Sequence, residues 1–179
     1  MDKVSYIKIT ADKERRNYML NKLHYEMIKL YNGDAKRIQH FCKVHSYAKL
    51  IAEMENVDEH TLFIIEAAAL THDIGIHLCE EKYGNCDGKL QEKEGPALAE
   101  KLLAKLGFAK DVAERVMYLI AHHHTYDDIN EIDYQILVEA DFLVNMYEDG
   151  LSKDAVEHAY NKIFKTDSGM KICAEMFGI

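Results

Sequence analysis

Apolar residues along this chain recur every three or four positions, and no segment alternates them with polar ones over the length of a strand. Leu20, Leu23, Met27 and Leu30 form one such series, and Leu98, Leu102 and Leu106 another. Spacing of this kind gathers apolar side chains on one face of a helix. A single proline, Pro96, punctuates the whole chain, which argues against a turn-rich β architecture. The expectation is all-α: a bundle of about seven to eight helices. With 179 residues, one domain spanning residues 1–179 is the default.

Capping residues mark the helix ends. Thr10 caps a first helix with Asp12 and Glu14 in its first turn, and Asn32-Gly33 stops it. A second follows Asp34 and places His40, Val44, Tyr47 and Ile51 on one face. A third runs from near Asp58 to Gly75. Residues 76–93, with Gly84, Asn85, Gly88 and alternating charges, read as an irregular loop. Pro96 then sits in the first turn of a fourth helix ended by Gly107. Asp111 and Glu114 resemble a capping box for a fifth, with Val112, Val116, Ile120 and His123 facing inward. A sixth spans Asp133 to Asp149, a seventh starts at Ser152, and a short one covers about 168–177.

Composition narrows the functional classes. A net charge of -9 argues against nucleic acid and anionic membrane, which reward basic surface. It leaves room for a small phosphorylated ligand. The cysteines, Cys42, Cys79, Cys86 and Cys173, show no CxxC spacing and read as free thiols of a reducing compartment. The N-terminus lacks an apolar signal-peptide core, and no uncharged apolar stretch reaches spanning length. The chain is expected to be cytoplasmic, and a homo-oligomer is compatible with all of this.

The chemistry lies on the apolar faces. His72 and Asp73 end the run Phe63-Ile64-Ile65-Glu66-Ala67-Ala68-Ala69-Leu70-Thr71, His40 lies on an apolar face, and Asp141 interrupts the stripe of Leu137 and Val144. With His123 added, four helices aim metal-competent side chains inward. Burying such groups costs several kcal/mol unless they are paired, and a divalent cation pairs all of them. A mixed imidazole and carboxylate set suits Fe, Mn, Ni or Zn, and also Mg, as one or two ions. Open positions on such an ion bind water and lower its pKa.

Three motifs carry a resemblance. Arg37-Ile38-Gln39-His40, Leu70-Thr71-His72-Asp73-Ile74-Gly75 and Val138-Glu139-Ala140-Asp141-Phe142-Leu143 resemble, in that order, the H…HD…D pattern of the HD-domain metal-dependent phosphohydrolase superfamily. The resemblance covers residues 35–147, the motif core. It implies an HD-domain-like helical bundle of about five core helices, with others appended, around a metal site. It implies His40, His72, Asp73 and Asp141 as metal ligands. It implies hydrolysis of phosphate esters, with a nucleotide as the expected substrate. Some members are instead dinuclear iron oxygenases, and some are non-catalytic metal- or nucleotide-binding regulators.

Members with two metals add three histidines. Two form a pair, which falls within His122-His123-His124. His123 points inward with His122 or His124 beside it, and His122 is the companion assigned from the sequence. The third falls on Gln91, so Glu92, Glu94 or His77 compensates, or the second ion is weak or absent. Ile76 stands where many hydrolytic members carry Lys, and His77 follows it. The expected catalytic set is Asp73, His77 and His123. Arg37, Lys93 and Tyr126 are the expected substrate contacts.

Overall fold

The computed structural model describes the backbone of residues 3–179 and the side chains of residues 12–179. Among the described residues every regular element is a helix: α1 Lys3–Leu30, α2 Ala35–Met54, α3 Glu59–Thr71, α4 Ile76–Tyr83, α5 Gly88–Leu106, α6 Lys110–Ile120, α7 Ile132–Glu148, α8 Lys153–Ile163 and α9 Asp167–Phe177. The turn between α3 and α4 keeps the chain nearly helical, so Glu59–Tyr83 also reads as one long helix.

α3 is the axis of the bundle. All of Phe63–Thr71 is buried, because α1, α2, α6 and α7 pack around it. The Glu59–Tyr83 run is long and apolar enough to cross a membrane, contrary to the expectation from the sequence, but 78% of its most apolar window is buried inside the bundle. It is apolar because it is enclosed on several sides. α2 lies against both α3 and α7, which joins the three helices that carry the sequence motifs. α8 and α9 close the end of the bundle beside α7. There the buried Glu139 accepts hydrogen bonds from the backbone N–H groups of Lys165 (2.6 Å) and Thr166 (2.9 Å) and from the Gln135 amide (2.7 Å).

Several starts follow the capping signals. The carboxylates of Asp34 and Asp58 accept from backbone N–H groups of α2 and α3, and Ser152 and Thr166 do so for α8 and α9. Gly107 ends α5 in the left-handed conformation, φ +78°. Four boundaries differ from the sequence reading. The chain is already helical at Lys3, so Thr10 falls inside α1. α6 has Ala109 at its N-cap and no side-chain cap bond, so Asp111 and Glu114 form no capping box.

The expected loop 76–93 is mostly helix. α4 starts at Ile76, ends on Gly84 at φ +74°, and Asp87 then caps α5. Pro96 therefore lies well inside α5 rather than at its start. The helix loses one backbone bond there and continues because its face is held against α4 and α6. The crossing is close. A Cβ added to Gly75 would lie 3.1 Å from the backbone N of Gly95, and one added to Gly95 would lie 2.7 Å from Ile120. Two glycines thus set α5 against the end of α3 and bring Gln91 and Glu92 beside the His-Asp motif.

Candidate metal centre

α2, α3 and α7 each bring a polar group to one buried point. His40 Nε2 lies 3.2 Å from Asp141 Oδ1, 3.5 Å from Asp73 Oδ2 and 3.3 Å from His72 Nε2. His72 Nε2 lies 3.4 Å from Asp73 Oδ2 and 3.6 Å from Asp141 Oδ1. On the other side, His123 Nε2 lies 3.6 Å from Asp73 Oδ1. Two groups able to hold an ion result, His40–His72–Asp73 and Asp73–His123–His124. Asp73 is common to both and turns a different oxygen to each.

Tautomers decide what this geometry fits. The Nδ1 of His72 lies 2.9 Å from the carbonyl of Ala69, and that of His123 lies 2.8 Å from the carbonyl of Ile120. Each Nδ1 must carry the proton to make that bond. In the neutral rings Nε2 then presents a lone pair toward carboxylate oxygens, acceptor against acceptor. Among the described residues His123 Nε2 is buried with no hydrogen-bond partner, a costly state for a polar atom. A cation between the lone pairs satisfies every one of these atoms, so the donor set fits a divalent metal. The lack of thiolate among the donors suits the mixed oxygen and nitrogen preferences of Mn, Fe, Ni, Zn or Mg.

Electrostatics are strongly perturbed here. Burial opposes ionisation of Asp73, yet the imidazoles of His72 and His123 hold its carboxyl well below the usual range. Asp141 is held low in the same way, against burial, by His40 and His72. Burial works against a charged His72, and with no cation present the two carboxylates nonetheless raise it well above its ordinary value, so that a proton on Nε2 takes the place a cation would fill. His124 goes the other way, down to about 4, through burial and the neighbouring His123. It therefore stays neutral near pH 7.

The surroundings hold these groups in place. Tyr31 donates to the main-chain carbonyl of Asp73 at 2.6 Å, and Asn145 donates to Asp141 Oδ1 at 2.9 Å. Past Ile120 the chain leaves the helix in a turn. Tyr134 donates to the carbonyls of His122 and Thr125, and Glu92 accepts from the N–H of His124 (3.1 Å) and the Thr125 hydroxyl (2.8 Å). That turn presents His123 and His124 together, with ring centroids 4.0 Å apart.

The structure brings His40, His72, Asp73, Asp141 and His123 together and leaves other expected residues aside. His122 is corrected. Its Nδ1 bonds the Tyr118 carbonyl at 2.7 Å, and its ring stacks on Tyr118 at 4.2 Å. His124 takes the inner place, since helical register no longer applies beyond Ile120. His77 is corrected too. It lies 3.2 Å from Asp34 Oδ2 and against the Tyr31 ring at 4.3 Å, because α4 begins at once and turns it toward α1 and α2. Glu92 is engaged in holding the turn and by Lys89, and Glu94 bonds Lys82 and Tyr83. None of the three belongs to either group able to hold an ion. Gln91 itself faces the site, its Oε1 3.3 Å from His124 Nε2.

Among the expected substrate contacts, Tyr126 stands nearest, its hydroxyl 3.3 Å from His124 Nδ1. Burial and the charges of Asp141 and Glu92 push its phenol up to about 12, so it keeps its proton. Arg37 is held by Asp34 (2.6 Å) and Glu80 (2.5 Å). Lys93 is exposed and its Nζ sits 5.8 Å from the Tyr83 ring centroid. The sequence left His122 and His124 both open as the companion of His123 and assigned His122, and it gave no role to Glu148, whose Oε2 lies 3.1 Å from His40 Nδ1. A signal for Glu148 existed, since it sits seven residues after Asp141, two turns along one helix face.

Comparison with known proteins agrees with this geometry. The HD domain model matches residues 37–158. A predicted HD superfamily hydrolase from an uncultured Thermotogales bacterium superimposes with a TM-score of 0.61 at 27% identity, over 90% of this chain and 84% of that one. Bacillus subtilis YpgQ superimposes with a TM-score of 0.62 at 20% identity, over 91% of this chain and 88% of its own. A structure of YpgQ in complex with ADP gives 0.56 at 20% identity, over 89% and 90%. A search of curated proteins finds no match. The motifs in order, the helices that carry them and the extent of the matching segment place this chain in the HD-domain family.

Proposed function

We propose that this protein is a metal-dependent phosphohydrolase acting on a small phosphorylated molecule, with a nucleotide as substrate. The observation that carries the proposal is the pair of His–carboxylate groups sharing Asp73, with the buried Nε2 of His123 lacking any partner. A divalent cation held there supplies Lewis acidity and makes water a nucleophile near neutral pH. His40, His72, Asp73 and Asp141 hold the first position. His123 and His124, with Asp73, would hold the second, and the Gln91 amide oxygen faces His124 where the family places an imidazole.

The chain's own groups do the rest. Tyr31 and Asn145 fix Asp73 and Asp141, so the carboxylates need not reorganise as charge develops on the phosphoryl group. Tyr126 carries a proton on its hydroxyl beside His124 and donates to a phosphate oxygen. Water adds at phosphorus as the P–O ester bond breaks, and the proton that the water gives up passes, through the site, to the leaving oxygen. The net charge of -9 is no obstacle, since the anionic substrate is neutralised locally. That a YpgQ structure holds ADP supports the nucleotide choice.

The experiment is metal analysis of protein purified without chelator, then a phosphate-release screen across nucleoside mono-, di- and triphosphates with added Mn2+, Fe2+, Ni2+, Zn2+ or Mg2+. Metal-dependent release that disappears in Asp73→Ala is the expected result. Absence of bound metal together with absence of release under every ion would refute the reading. Turnover of a reduced substrate with O2 in iron-loaded protein would replace it with an oxygenase.

A further inference from the structure

Three histidines reach the centre through Nε2, and each has its Nδ1 held. For His72 and His123 a main-chain carbonyl three residues back does this. His40 is held differently. Its Nδ1 lies 3.1 Å from Oε2 of Glu148, the last residue of α7, and Lys43 donates to the other oxygen, Oε1, at 2.6 Å. Lys43 lies one turn beyond His40 on α2, and Glu148 lies two turns beyond Asp141 on α7. The two helices that bring His40 and Asp141 within 3.2 Å therefore also align a carboxylate behind the imidazole and a cation behind the carboxylate.

We propose that Glu148, held by Lys43, is a positioning residue of the centre: it keeps His40 in the Nδ1–H tautomer, aims its Nε2 lone pair at Asp73 and Asp141, and raises the affinity of the first position for a divalent cation. The inference rests on the metal reading given above. A carboxylate behind a metal-facing imidazole fixes the ring and makes the opposite nitrogen a stronger donor, and losing such a partner commonly weakens metal affinity about 10- to 100-fold. A main-chain carbonyl fixes the ring without adding charge. His40 is thus the most strongly supported of these imidazoles. The ring nitrogens of His124, by contrast, have neutral hydrogen-bond partners, Tyr126 and Gln91, each at 3.3 Å.

The competing explanation is a plain ion pair. Lys43 and Glu148 tie α2 to α7, and such a tie contributes to stability whether or not His40 is present. The side-chain exposures of 37% for Lys43 and 13% for Glu148 would suit it. The two explanations separate in the position of the second carboxylate oxygen, which faces His40, and in what each predicts for metal binding.

The test uses metal-stripped full-length protein titrated with Mn2+ against a competing chelator. Wild type, Glu148→Ala, Glu148→Gln and Lys43→Met are compared, each also melted without metal. Glu148→Ala should weaken the tighter Mn2+ site about 10- to 100-fold. Glu148→Gln, whose amide oxygen still accepts the Nδ1 proton but carries no charge, should recover only part of that loss, and Lys43→Met should cost less than Glu148→Ala. Nitrogen-15 spectra of the His40 ring should show the Nδ1–H tautomer in wild type and a mixture in Glu148→Ala. Equal lowering of the melting temperature in Glu148→Ala and Lys43→Met with unchanged Mn2+ affinity would overturn the proposal in favour of the ion pair. If Glu148→Ala does not fold, a Glu148→Gln affinity for Mn2+ equal to that of wild type would also overturn it. A wild type that takes up no divalent cation would instead overturn the metal reading itself.

Discussion

His124 and His122 are adjacent in sequence and opposite in circumstance. His124 lies in the group with Asp73 and His123 and stays neutral near pH 7, whereas His122 is spent on the Tyr118 carbonyl and ring. Replacing each by Ala should separate them. His124→Ala should lower the number of Mn2+ ions bound per chain or weaken the looser one at least tenfold, while His122→Ala should leave metal content unchanged and cost about 0.5–1.5 kcal/mol through its lost hydrogen bond. Elemental analysis and denaturant melts report the two effects independently. Equal metal loss in both variants would show that the turn, not the ring of His124, matters.

Two elements depend on contacts that no propensity predicts. α5 approaches the end of α3 through Gly75 and Gly95, with a Gly75 Cβ only 3.1 Å from backbone that has little freedom to move. Gly75→Ala should destabilise the protein by about 1–3 kcal/mol, as overpacking does, and should also reduce metal affinity because Gln91 and Glu92 ride on α5. A melt unchanged to within a few tenths of a kcal/mol would contradict that close approach. On the far side of α3, buried Glu66 accepts from His45 at 3.0 Å and Lys49 at 3.2 Å, which ties α3 to α2. Burial works against its charge, but His45 and Lys49 hold its carboxyl below 4.5. A carboxylate whose folded pKa is depressed contributes stability above its unfolded pKa and loses it as pH falls through the folded value. Glu66→Gln should therefore melt below wild type at pH 7, and the gap should close as the pH is taken below 4.5. A gap that stays constant with pH would assign the effect to packing instead of charge.

For the molecule as a whole, the centre joins α2, α3, α7 and the turn after α6, so an ion bound there stabilises the folded bundle and not the open chain. At one hundred times its dissociation constant a ligand adds about 2.7 kcal/mol. For a chain of this size that corresponds to a rise in Tm of about 5–10 °C. Chelator should remove the increment and Mn2+ should restore it, with Asp73→Ala showing neither change. Scanning calorimetry on stripped and reloaded protein checks this. An Asp73→Ala melt that responds to Mn2+ like wild type would place the ion elsewhere.

The helical class, the helix starts at Asp34, Asp58 and Ser152, and the inward faces bearing His40, His72 and Asp141 were legible in the chain itself, because they follow from period and local hydrogen bonding. α4 and the start of α5 were not. Gly84, Asn85, Gly88 and Pro96 read as punctuation, yet packing of α5 against α4 and α6 outweighs the cost of a proline and glycines within or beside a helix. The inward turn of His124, the outward turn of His122 and the loss of His77 to Asp34 also lay beyond a periodic reading, since a helical register ends where the helix ends. The carboxylate of Glu148 behind His40, 108 residues away, was settled only when α2 and α7 packed side by side. A sequence records which groups each helix offers on each face; which of those groups meet is decided by how the helices cross.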